Sequence, residues 1–262
     1  MKKITIVCLI LASASGLLAH EFWLSASRYF INVGESIQVS VFVGEDFDGK
    51  GWKFDPKRIK TLRHYTKNTM QDFDQSPLPA DSLEMNFQTE GNQLIALETN
   101  NKFLTMQADK FLAYLNEDGL DNAIKLRQQR NETKKPSREF YARCVKTLVQ
   151  VGSATDRAYA IRTNMTLEII PEQNPYDVAD GGRVSYQIVF KKQPLANAYV
   201  RLWNKKEGKL TKDSARSDDK GRVTLPQLSG VNMVSVVTMV PTTDASTADW
   251  QSYWGSFTFA VR

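Results

Sequence analysis

Histidine and cysteine are scarce in this chain, with two of each among 262 residues. That scarcity excludes several kinds of chemistry. No disulfide framework can form, because Cys8 lies inside a leading apolar run and Cys144 then stands alone. A serine–histidine–aspartate set would have to borrow His20 or His64 as its base. No glycine loop has the spacing that cradles a phosphate. Long apolar stretches are missing too: Ile4–Leu11 is far short of the roughly 20 residues of a spanning helix. Charge of one sign is also absent. The 34 Lys and Arg are scattered among 29 Asp and Glu, without the basic face of a nucleic-acid binder or a strong attraction to membranes.

What is present begins with an export signal. Lys2 and Lys3 precede the apolar run, and Ala12-Ser13-Ala14-Ser15 and Leu17-Leu18-Ala19 complete a cleavable segment at residues 1–19. No lipid-anchor cysteine follows the cut. The expected product is periplasmic where the cell has two membranes, and it has no membrane span after signal cleavage. The 262 residues less those 19 leave 243, enough for one or two domains. Cleavage would expose His20, whose amine and imidazole form a bidentate grip for copper or nickel. The plainer alternative is that signal peptidase must cut somewhere and histidine happens to come next. Cys144, with no thiol partner, reads as a buried, inert small hydrophobe.

Along the mature chain, Ile37–Gly44 largely alternates apolar with polar, the period of a half-buried strand. Gly44–Gly51 reads as a solvated loop, since Asp46 and Asp48 lack the spacing of a calcium loop. Ile59–Tyr65 is a strand with Ile59, Thr61, Arg63 and Tyr65 on one side and His64 on the other. Residues 71–82 form a loop by composition. Leu83–Phe87 and Gln93–Glu98 suggest a hairpin about Glu90-Gly91-Asn92, and Phe103–Met106 one more strand. Helical spacing then covers Asp109–Tyr114 and Leu120–Gln129, with Pro136 placed to open a third short helix. Basic residues from Lys125 to Arg143 read as a solvated helical face, with a partner-binding face as the alternative. Strands return at Val145–Val151 and Met165–Pro171.

From residue 173 the strands are short and regularly spaced, as in a sandwich. Pro194-Leu195-Ala196-Asn197-Ala198-Tyr199-Val200 and Asp218-Asp219-Lys220-Gly221-Arg222-Val223 resemble immunoglobulin-like or prealbumin-like modules. Trp250 and Trp254 are expected to anchor a final core strand. The reading is therefore a mainly β chain with two such sandwich units, at residues 20–172 and 173–262. The first carries a small helical insertion near 108–143.

Five stretches carry a resemblance to one family: His20-Glu21-Phe22-Trp23-Leu24, Val43–Phe47, Ala108–Leu120, Tyr141–Lys146 and Ala248–Trp254. They resemble domain-of-unknown-function family 4198, secreted proteins often labelled periplasmic components of cobalt or nickel uptake. The resemblance implies nickel, cobalt or copper as ligand and a membrane transporter or envelope protein as partner. His20 is then the first metal-ligand candidate, with His64 and Met239 as further donors. Many relatives carry a histidine where this chain has Thr238, which puts the second half of such a site in doubt. No catalytic residue is assigned and an enzyme is not expected. The alternative to metal binding is a non-catalytic envelope module.

Overall fold

The computed structural model describes residues 21–73, 81–243 and 246–262. The proposed signal, His20 and residues 74–80 of the expected loop lie outside them. The first strands are β1 (Glu21–Ala26), β2 (Phe30–Ile31), β3 (Ser36–Glu45), β4 (Asp48–Trp52), β5 (Ile59–Tyr65), β6 (Met70–Asp72), β7 (Leu83–Asn86), β8 (Gly91–Thr99) and β9 (Lys102–Met106). Helices α1 (Ala108–Glu117) and α2 (Asp121–Gln129) follow. The remaining strands are β10 (Ser137–Val151), β11 (Leu167–Pro171), β12 (Arg183–Phe190), β13 (Gln193–Pro194), β14 (Tyr199–Lys206), β15 (Lys209–Arg216), β16 (Arg222–Pro226), β17 (Gly230–Pro241) and β18 (Trp250–Val261).

A ten-stranded sheet, in the order β15-β14-β17-β18-β10-β8-β5-β6 with β2 and β9 also on β10, forms the middle layer. Its two faces are read off β10. Val145, Val149 and Val151 pack with β1, β3 and β7, whereas Cys144 and Leu148 pack with β11, β12 and β16. One four-stranded sheet (β1, β3, β4, β7) thus covers one face, and another (β11, β12, β13, β16) covers the other. The fold is mainly β, two sandwiches that share a sheet. β18 joins them, running parallel to β10 from Glu139↔Trp250 to Thr147↔Thr258 and antiparallel to β17. The helices lie over β17 and β18 on the face that β1 covers, with Phe111, Tyr114, Leu115, Met239, Trp250 and Trp254 in one apolar cluster.

Several local expectations are corrected. The glycine- and acid-rich loop is the β3–β4 hairpin. Asp46 and Phe47 both take positive φ (54° and 53°), the two-residue turn that fits strand twist. Phe47 holds that conformation by packing on Trp23, ring centroids 5.3 Å apart. A register shift between Ile59 and Thr61 puts Ile59 in the same core as Leu62, not on the side of Tyr65. β7 pairs with β3 and not with β8, so the suggested hairpin is a crossing between layers. Pro136 opens no helix. The 15-residue strand β10 starts directly after it.

Candidate functional site

All five family-like stretches meet around the start of β1. Glu21, paired with Gly44 of β3, is buried, and Arg201 of β14 faces it with Nη2 at 3.4 Å from Oε1. The same Nη2 lies 2.5 Å from Oδ1 of Asp118, which caps the C-terminal end of α1 through its N–H to Tyr114 O (3.0 Å). Gly119 follows with φ +62°, and a Cβ there would lie 2.6 Å from Tyr199 Cβ. Close approach and positive φ both require glycine. Gly119→Ala is therefore expected to lower unfolding free energy by about 1–3 kcal/mol, read as a shifted urea midpoint. An unshifted midpoint would show that the turn relaxes freely.

Deeper in, Glu139 of β10 accepts hydrogen bonds at Oε1 from Tyr114 (3.2 Å) and from Ser252, which itself accepts from Trp254 Nε1 at 3.1 Å. Arg143, four residues along on the same face, has its guanidinium against the rings of Trp254 (4.7 Å), Tyr141 (5.2 Å) and Phe22 (5.4 Å). Tyr114 stacks on Trp254 at 5.5 Å. The cluster thus gathers three buried carboxyls and two partly buried guanidiniums with little access to water, and low dielectric makes each contact strong and each loss costly.

Burial dominates the proton affinities. It pushes Asp118 up to about 7 against the opposing pull of Arg201. It also pushes Glu139 up to about 7, against the bonds from Ser252 and Tyr114. Glu21 is raised by burial and Arg143 lowered by it. Exposed Glu117, the last residue of α1, raises both Glu21 and Asp118 by like charge. Its carboxylate makes no ion pair among the described residues.

The candidates read from the sequence are not brought together. His20 lies outside the described residues. His64 sits in β5 with Nε2 2.7 Å from Gln93 Oε1 and its ring tilted on Phe87; burial lowers its proton affinity. Met239 is fully buried in β17 beneath the helices, and Thr238 faces the opposite side of that strand. β17 and β5 are four strand positions apart, about 19 Å at the usual spacing. Among the described residues no group of three or more His, Cys, Asp or Glu is placed to hold a metal.

Cys144 is buried and its thiol pushed far up by desolvation. Asp46 pairs with Lys212, and Asp48 lies 3.8 Å from Lys205. The basic run is no solvated face throughout: Arg127 is buried, donating to the Lys135 and Thr133 carbonyls. The sequence gives no role to Arg201 or Glu139, and Arg143, expected on a solvated helical face, instead lies in β10 against the Trp254 ring. The signal for Arg143 and Arg201 is a charge between apolar strand neighbours, as in Val200-Arg201-Leu202 and Ala142-Arg143-Cys144; Glu139, beside Arg138, carries none.

Comparison with known proteins gives a family match over most of the chain. The sequence profile described as "Domain of unknown function (DUF4198)" matches residues 17–240. No curated protein matches. Among solved structures, the D0-D1 domain of intimin is similar at 11% identity and TM-score 0.22, over 92% of this chain and 98% of that one. The three N-terminal domains of the bacteriophage RB49 outer capsid protein Hoc follow at 11% and 0.20, over 91% of this chain and 59% of that one. Dimeric latent PorU from Porphyromonas gingivalis is similar at 9% and 0.20, over 92% and 20%.

Proposed function

The chain belongs to the DUF4198 family, and from that premise we propose that it is a periplasmic, non-catalytic protein that binds nickel, cobalt or copper through His20. The proposal includes export by residues 1–19 and delivery of the metal to a membrane transporter or envelope protein. One observation supports it above the others. Chain ends usually fray, yet Glu21 is fixed by strand pairing to Gly44 and by the ion pair to the largely shielded Arg201. A terminus made at residue 20 would be bonded to a rigid support, and preorganised donors bind with less ordering cost.

The placed donors His64 and Met239 do not suit a shared centre, so the ligands would be the His20 amine and imidazole. Glu117, a carboxylate near Glu21 with no ion-pair partner among the described residues, is the natural oxygen donor beside them. Imidazole and amine nitrogens suit divalent nickel, cobalt and copper. The second reading, an envelope module without metal, is supported by the sequestered positions of His64 and Met239.

Calorimetric titration of each divalent metal into protein beginning at His20 separates the two. Binding at one equivalent is expected, lost when a glycine precedes His20, and weakened about tenfold, or 1.4 kcal/mol, by Glu117→Gln. Indifference to all three metals, or binding untouched by the added glycine, would overturn the metal reading in favour of the module.

A further inference from the structure

Among the described residues, the middle sheet leaves one strand position unfilled. β8 and β9 run along β10 as two halves of one bent strand, from Leu148↔Leu94 to Tyr141↔Lys102 and on to Ser137↔Met106. β5 covers the outer edge of β8 but begins at Ile59, opposite Thr99. The outer edge of β9 therefore has no strand partner among the described residues. Unpaired edges template the addition of another chain, and folded proteins usually shorten, charge or cover them.

The surroundings of this edge are apolar and cationic. A groove of about 410 Å³ runs along β9 and is completed by Gln107, Lys110 and Tyr141. Phe103 of β9 is 45% exposed and lies edge-on to Phe140 at 5.4 Å; Leu112 on α1 is 42% exposed. They are two of the four large apolar side chains exposed among the described residues, one within β9 and the other in the helix that follows it. Among the described residues, Lys102 and Lys110 are the charged ones lining the groove, and no carboxylate lines it. A second copy of the chain would bring four lysines together without an offset. An acidic strand would meet them with opposite charge.

We infer that the free edge of β9 receives an extended acidic segment of a partner protein, added as a strand in line with β5. Main-chain hydrogen bonds supply the affinity in such strand addition, and alternate side chains supply the selectivity. On one face the incoming apolar residues would cover Phe103; on the other they would meet Leu104 and Tyr141. The inference does not rest on metal binding, so the glycine-extended protein should behave identically.

The probe is a blocked ten-residue peptide of alternating glutamate and valine, mixed with the mature chain and followed by amide hydrogen exchange. Slower exchange at Phe103–Met106 is expected, with apparent affinity falling at least tenfold in the double variant Lys102→Glu, Lys110→Glu. Melting of that variant should match the parent, showing that the fold survives. Three results overturn the inference: no protection at about 1 mM peptide, a level at which even a 4 kcal/mol interaction registers; equal protection by a lysine–valine peptide; or protection confined to another edge such as β15. Sedimentation showing dimers joined through β9 would assign the edge to a second copy and also overturn it.

Discussion

Arg201→Ala will lower the melting temperature of the protein by roughly 6–20 °C, from a loss of about 3–5 kcal/mol. The side chain holds Glu21 and Asp118 together, all three largely shielded from water. Without the guanidinium, two buried carboxyls face each other with Glu117 nearby, and each must be protonated or left charged in low dielectric. The strand start and the α1–α2 turn lose their common anchor. Removing the whole network is expected to hurt less than removing one partner, since buried ion groups often exchange for apolar or neutral ones at little cost. The triple change Arg201→Leu, Asp118→Asn, Glu21→Gln should therefore recover most of the loss. Calorimetric melting checks both, and a fall under about 2 °C for the single variant would mean that the cluster is not anchoring the layers.

Stability will also fall as pH rises from about 5 to about 7.5, by roughly 2–4 kcal/mol. Asp118 and Glu139 are each raised to about 7 in the folded state by burial. The folded protein therefore binds protons more tightly than the unfolded chain, whose carboxyls titrate near 4. Their contribution is complete below the unfolded value and disappears as pH climbs through the folded one. His64 acts in the opposite sense. Burial lowers its folded proton affinity, so its contribution is lost as pH falls through the unfolded histidine value near 6.5. Two large carboxyl shifts outweigh one histidine. Lys146 is lowered to about 8, so its own pH dependence lies above this range. Urea unfolding at the two pH values measures the difference, and Glu139→Gln should roughly halve it while keeping acceptance from Tyr114 and Ser252. A protein equally stable at both, or steadier at the higher pH, would contradict the assignment.

Strands with one apolar face were readable from the sequence. β3, β12 and β16 alternate because one side meets a core and the other water, and the residues record that difference directly. The helices were readable too, since Phe111, Tyr114 and Leu115 repeat at helical spacing toward one cluster. β10 was less legible. Its first half, Ser137–Arg143, carries Arg138, Glu139 and Arg143 because ion pairs, ring contacts and hydrogen bonds from other segments satisfy them. Seen alone, Ser-Arg-Glu-Phe-Tyr looks like a polar surface. The β3–β4 turn was missed for a related reason. Aspartate and phenylalanine do not advertise positive φ, and only the packing of Phe47 on Trp23 sustains it.

By itself the sequence determined that the chain is mainly β with a pair of helices near its middle, and that it has too few histidines and thiols for most familiar centres. Those properties follow from local periodicity and composition, which need no partner to be counted. Tertiary structure alone decided that the two sandwiches share one sheet through the parallel pairing of β10 with β18. It also decided that Glu21, Tyr114, Asp118, Glu139, Arg143, Arg201 and Ser252, taken from five separate segments, form one cluster. Such charges attract strongly only after the layers close and exclude water, so the spacing of residues along the chain cannot reveal them.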